Sequence, residues 1–292
     1  MSVTISRPDK ALFPDGITKA DLAGYYEAVA PAMLPHLAGR PLNLERYPDG
    51  IEAQRIMQQR AGKHFPDWIE RVTVPKEGGT VEHVVASDAD TLVYLADQAC
   101  ITPHAWLSRA DRLNRPDRLI VDLDPSNGSP ADVRRAARDM GDLLRDLELE
   151  PFAMTTGSRG FHVVVPLRRR ADFDEVRAFA RDLAQLAAER DPKLTVEQRK
   201  AKRGGRILVD VMRNAYAHTA VAPYAVRARP GAPVATPLHW DELEDSKLRS
   251  DRWNIRTARE RLERDGDPWA DINGSARALG AARRRLDAAL RE

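Results

Sequence analysis

An α+β fold, a ferredoxin-like split βαβ sheet merged with an amino-terminal mixed α/β module, is what this sequence predicts. Three observations carry that expectation. From Arg118 to Met212, apolar strand-like runs and amphipathic helix-like runs follow the order strand-helix-strand, strand-helix-strand. Before them stands a strongly periodic helical segment near the amino terminus, followed to Leu113 by short apolar runs broken by turns. At 292 residues, 42% hydrophobic and 31% charged, the chain can bury a full core as one large unit or two modest ones.

Each element has its own signal. Thr18 and Asp21 have capping-box spacing, and Leu22, Tyr25, Tyr26, Val29 and Met33 recur at helical intervals until Pro35. Between Leu42 and Leu113, the runs Val81 to Val85 and Leu92 to Ala96 read as mixed structure. Arg118 to Asp124 reads as a strand. Ser129 before Pro130 marks a helix start, with Val133, Ala136, Met140, Leu143, Leu144 and Leu147 on one face. A short strand near Pro151 to Thr155 and a stronger one at Phe161 to Pro166 flank a turn. Asp174 to Glu189 predicts a second helix with Val176, Phe179, Leu183 and Leu186 inward, and Arg206 to Met212 the last strand. The charged ending from Ser275 to Glu292 reads as a terminal helix or tail. These elements suggest a mixed module over residues 1–114, a catalytic core over 115–240 and a helical segment over 241–292, together forming one compact unit.

Composition narrows the function classes. The net charge is only +2, so affinity for nucleic acid has to come from local clusters rather than a global field. Such clusters occur at Arg109 to Arg118, Arg168 to Arg170, Arg199 to Arg206 and Arg249 to Arg264, although a solvated surface accounts equally well for any one of them. The lone Cys100 excludes an internal disulfide and a thiolate zinc cage. With no signal-like amino terminus and no apolar run near the ~20 residues of a membrane span, the expected location is cytoplasmic.

The chemistry concentrates where the first core strand ends. Asp122 and Asp124 stand two residues apart, so both point to one sheet face about 7 Å apart along the strand. Acids this close repel unless a proton or cation intervenes, and hard divalent ions take oxygen ligands. In the split βαβ topology the first strand lies between the third and fourth, so His162 and Asp210 should join the two acids on that face. The turn Thr155 to Gly160 has the composition of an anion nest, with glycines, hydroxyls and Arg159, although an ordinary hairpin loop has the same make-up. A site of this kind suits a nucleotidyltransferase or a metal-dependent nuclease; a non-catalytic DNA-end-binding module gains nothing from clustered like charges.

The segments Arg115 to Pro125, Thr156 to His162 and Val209-Asp210 resemble the three motifs of the archaeo-eukaryotic primase superfamily, in particular the polymerase domain of bacterial ligase D, which serves non-homologous end joining. The resemblance covers nearly the whole chain, from Arg7 to Pro14 through Trp106 to Arg109 and Tyr224 to Val234 to Gly266 to Trp269. It implies an RRM-like catalytic core in a primase-polymerase fold. The implied activity is a template-dependent nucleotidyltransferase that extends primers and fills short gaps, prefers ribonucleotides and works by a two-metal mechanism.

By the same resemblance, Asp122, Asp124 and Asp210 are catalytic and hold two Mn2+ or Mg2+ ions. Thr156, Ser158, Arg159, His162, Arg203, Arg213 and Arg227 bind the nucleotide, with His104 near its sugar. Lys10 and Lys19, in the amino-terminal module, take the 5′-phosphate of a downstream strand. The implied partners are gapped or broken duplex DNA with a 5′-phosphate, NTP or dNTP, Ku and a separate DNA ligase. One departure stands out: where the family has two aromatics after its Pro-Asp-Gly-Ile turn, this chain has Ile56 and Met57. Stacking of a base on an aromatic ring contributes about 1–3 kcal/mol, so template grip should be weaker here or achieved differently.

Overall fold

The computed structural model describes residues 3–127 and 129–291. Glu292, the end of the expected terminal helix, lies outside them. Helix α1, Lys19–Leu37, opens on the Thr18/Asp21 capping box and buries Leu22, Tyr26, Val29, Met33 and Leu37. It does not stop at Pro35. Pro31 and Pro35 both lie on its exposed face, so the carbonyls their missing N–H groups leave unbonded look toward water, and the apolar face carries the helix two residues further.

Strands β1 (Leu42–Arg46), β2 (Ile56–Gln58), β3 (Arg71–Lys76) and β4 (Gly79–Val84) follow. Next comes α2, Ala89–Asp97, where sequence reading gave only an apolar run. Five apolar residues do not by themselves separate helix from strand; the Asp88 side chain, accepting from the Thr91 N–H at 2.7 Å, starts a helix. Strand β5, Cys100–Trp106, completes the amino-terminal part.

The core elements are β6 (Arg118–Pro125), α3 (Pro130–Asp146), β7 (Phe152–Thr155), β8 (Phe161–Pro166) and α4 (Phe173–Arg190). Strands β9 (Leu194–Thr195), β10 (Ile207–Asp210), β11 (Thr219–Val221) and β12 (Pro237–Leu238) come next, then α5 (Thr257–Asp265) and α6 (Leu279–Ala289). Ser129 caps α3 and Asp172 caps α4, each through its side-chain oxygen.

The described residues fall into two compact units interleaved along the chain. The first comprises residues up to Leu113, Thr219–Thr236 and Trp253–Asp267. Its antiparallel sheet has the order β11-β5-β1-β4-β3, with β2 also paired to β1. Helices α1 and α2 pack together, and the Tyr25 and Tyr26 hydroxyls donate to the carbonyls of Tyr224 and Ile101.

The second unit holds Asn114–His218, Pro237–Arg252 and Pro268 to the carboxyl terminus. Its sheet runs β12-β7-β8-β6-β10-β9, so the first core strand lies between the third and fourth, as the split βαβ reading expects. Leu119, Val121 and Leu123 of β6 and Val163 and Val165 of β8 are fully buried, and α3 and α4 pack on these strands. The alternate residues of the same strands form the opposite face. Among the described residues, no helix is long and apolar enough to cross a membrane.

Candidate active site

Register puts the acids together. Asp122 of β6 pairs with Asp210 of β10 on one side and with His162 of β8 on the other. Directly opposed residues of an antiparallel pair have Cβ atoms about 5 Å apart, and like charges there destabilise the sheet. Asp124, opposite Leu208, lies one strand repeat further along the same face.

The neighbours of these carboxylates are basic. His162 Nε2 is 3.6 Å from Asp122 Oδ2, too long for a hydrogen bond but within ion-pair reach. Its Nδ1 is buried with no hydrogen-bond partner among the described residues. Asp124 Oδ2 accepts from Arg203 Nη1 at 3.1 Å, and Arg159 Nη2 lies 3.8 Å from its other oxygen. Arg203 is buried and also donates to the carbonyls of Glu197 and Gln198, at 3.0 and 2.9 Å. Expected on a nucleotide, Arg203 is directed instead at Asp124 and at the backbone of its own loop. Asp210 Oδ1 accepts from the Met212 N–H at 2.8 Å, which turns the chain out of β10. Arg213, one residue on, is exposed.

The loop between β7 and β8 closes on itself. Thr156 N–H and hydroxyl both donate to the Gly160 carbonyl, at 3.1 and 3.0 Å, and the hydroxyl accepts from the Gly160 N–H at 3.3 Å. The Ser158 carbonyl accepts from Ser250 Oγ at 2.9 Å, and Arg134 Nη1 fixes that bracing segment through the Leu248 carbonyl at 2.8 Å. Sequence reading missed Ser250 and Arg134, since both lie far from the loop and match no motif. The Arg159 side chain stays exposed beside the acids.

Among the described residues, no three His, Cys, Asp or Glu side chains already form a closed metal-binding group. The donors fit a hard divalent cation all the same: three carboxylates on one face, two of them directly opposed, with His162 Nε2 3.6 Å from Asp122.

The remaining predicted residues belong to the first unit. His104 Nε2 lies 2.9 Å from Glu45 Oε2, and Glu45 Oε1 accepts from the Tyr47 hydroxyl at 2.9 Å. Burial opposes ionisation of Glu45, but His104, Tyr47 and the Arg227 charge outweigh it and hold the carboxyl below its ordinary value. Burial and that carboxylate push the Tyr47 phenol up to about 12. Ile56 and Met57 stand exposed on β2, opposite Arg46 and Glu45.

Lys10 and Lys19 differ sharply. Lys10 Nζ lies 2.9 Å from the exposed Asp49. Lys19 is buried, and its ammonium donates to Ser6 O, Ser6 Oγ and Asp97 Oδ1 at 2.6, 2.9 and 2.8 Å, which leaves none of its three protons for a phosphate. Burial raises the Asp97 pKa, but Lys19 and Ser6 lower it more, so the folded value lies below the ordinary one. The stability this pair supplies is complete above the ordinary carboxylate range and fades as pH falls through the depressed folded value.

Comparison with known proteins agrees with this architecture. The family model for the primase-polymerase domain of LigD matches residues 18–269. The multifunctional non-homologous end joining protein LigD of Mycolicibacterium smegmatis is 33% identical over 94% of this chain and 36% of its own length. Its Pseudomonas aeruginosa counterpart is 34% identical over 97% of this chain and 34% of its own length. The chain thus spans about a third of these relatives. The solved polymerase domain of Mycobacterium tuberculosis ligase D, in complex with DNA, superposes with a TM-score of 0.88 at 32% identity, covering 94% of this chain and 99% of that one. With the split βαβ sheet and this match over most of its length, the chain belongs to the LigD primase-polymerase domain family and is a nucleotidyltransferase.

Proposed function

We propose that this chain extends primers and fills short gaps in broken duplex DNA during end joining, preferring ribonucleotides, beside Ku and a ligase activity. The observation that carries the reading is the register placing Asp122 opposite both Asp210 and His162, at the mouth of the Thr156 to Gly160 loop. In it, Asp122, Asp124 and Asp210 hold two divalent ions, Mn2+ or Mg2+. Bound there, the ions supply Lewis-acid activation of the primer hydroxyl and neutralise the leaving pyrophosphate. Arg159, Arg213, His162 and the Ser158 loop grip the nucleotide, while Arg203 keeps Asp124 in place. Ile56 and Met57 offer the template an apolar contact without a ring, which favours a looser grip.

Extension on a gapped duplex tests this. With nucleotide and Mn2+ or Mg2+ the labelled primer lengthens across the gap, and ribonucleotides are used better than deoxyribonucleotides. A shortened primer would identify a nuclease, and a bound but unchanged primer an end-binding module.

The two lysines separate in the same assay. Lys10→Ala should lose the preference for a downstream 5′-phosphate with Tm unchanged, because Lys10 is a half-buried point charge whose partner Asp49 is itself exposed. Lys19→Ala should instead lose about 3–5 kcal/mol of stability at neutral pH, because Asp97 is left buried without its partner. That loss should shrink in acid, where Asp97 is protonated. Urea melts at two pH values check it; equal unfolding midpoints in both variants would contradict the assignment.

A further inference from the structure

Strand β10 leaves the ladder one step early. It pairs with β6 as far as Asp210 opposite Asp122, and the next repeat of the ladder, two residues on, would pair Met212 with Ile120. Met212 N–H donates to Asp210 Oδ1 instead, and the chain turns away. Ile120 sits in the middle of β6, where an unpaired N–H and C=O would each cost about 1–3 kcal/mol.

One side chain supplies what the strand does not. Asn214 is fully buried, and its Oδ1 accepts from the Ile120 N–H at 2.9 Å. Its Nδ2 donates to the Ile120 carbonyl at 2.7 Å and to the Val211 carbonyl at 2.9 Å. A single amide therefore ties the residue two before Asp122 to the residue just after Asp210. No other side chain among those described bonds this pair of neighbours together. The ladder alone fixes the two acids at its very end, where strands fray; with the amide in place, β6 cannot slide or twist against β10 at the acids.

We propose that Asn214 is a positioning residue that sets the separation of the Asp122 and Asp210 carboxylates, and with it the affinity of the site for a divalent ion. This rests on reading those acids as ion-holding. Residues that orient metal ligands typically change affinity 10–100-fold when removed.

The test is direct Mn2+ binding to the full chain, followed by electron paramagnetic resonance of the free ion, with primer extension alongside. Asn214→Ala should weaken Mn2+ binding by about 10-fold or more, and kcat should fall with the nucleotide KM little changed. Asn214→Gln keeps the amide but displaces it by one methylene, so it should fold and still bind Mn2+ more weakly than the unaltered chain. Val165→Ala, a cavity in the helix-covered layer of the same sheet, serves as the stability-matched control and should leave Mn2+ affinity unchanged. If both Asn214 variants bind Mn2+ as the unaltered chain does, or if Val165→Ala weakens binding as much, the positioning role is wrong. If the unaltered chain binds no Mn2+, or Asp210→Asn binds it equally well, the ion-holding reading falls and takes this inference with it.

Discussion

Asp122→Asn is expected to reduce primer extension by about 10³-fold or more while leaving the folded protein more stable than before, if it changes at all. Asp122 is the one acid flanked on both sides, by Asp210 on β10 and His162 on β8, so its charge is central to any cation held on this face. Losing a ligand from an ion that stabilises developing charge costs several kcal/mol of transition-state energy, and each 1.36 kcal/mol is about tenfold in rate. Stability should respond in the opposite sense, because the substitution removes a like charge from a directly opposed pair. Asp124→Asn differs: it also weakens the anchor of the buried Arg203, so both rate and Tm should drop. Steady-state extension with thermal melts on the same preparations separates the cases. Near-normal extension by the Asp122 variant would remove the acids from the chemistry.

The central sheet was legible because its middle strands read as near-continuous apolar runs bounded by turn signals. Phe161 to Pro166 and Arg118 to Asp124 are long, apolar and β-branched, and the helix between them is capped by Ser129 at the position the sequence marks; α4 starts one residue before the expected Asp174, at Phe173, capped by Asp172. Once the order of elements is known, topology follows, and topology alone brings Asp210 and His162 beside Asp122 across some 40 to 90 residues of chain. The first unit was less legible. Among its elements α2 looks like any five-residue apolar run, and β11 returns to β5 from more than a hundred residues away. The long-range return is set by packing, which no local pattern encodes.

Within the site, residue type was easier to read than orientation. Arg203 and Lys19 have the chemistry of phosphate ligands, yet both are buried against backbone carbonyls and a carboxylate, and sequence says nothing about which partner a long cation finds first. Asn214, Ser250 and Glu45 are ordinary polar residues in sequence. What makes them consequential is which atom each one touches: the Ile120 backbone, the Ser158 carbonyl and the His104 ring.

Gly160→Ala is expected to cost about 3 kcal/mol of stability and, in the protein that remains folded, about 10²-fold in rate. A Cβ at this position would lie 2.1 Å from the Leu123 carbonyl oxygen and 3.1 Å from its carbon. Leu123 is the residue between Asp122 and Asp124, so the contact is with the backbone that carries both acids. Neither partner is a flexible side-chain tip, and relief has only two routes. Either the loop withdraws, breaking the Thr156–Gly160 bonds and moving Arg159 away, or β6 shifts and the carboxylates move with it. Both routes damage the site, whereas Gly204→Ala, with open space around its Cβ and φ of +58°, should cost only about 1–2 kcal/mol of backbone strain. A Gly160 variant no worse than the Gly204 one in melting and in single-turnover extension would mean that the loop and the acid strand are not mechanically joined, and that the close approach at Leu123 has no part in holding the nucleotide against the acids.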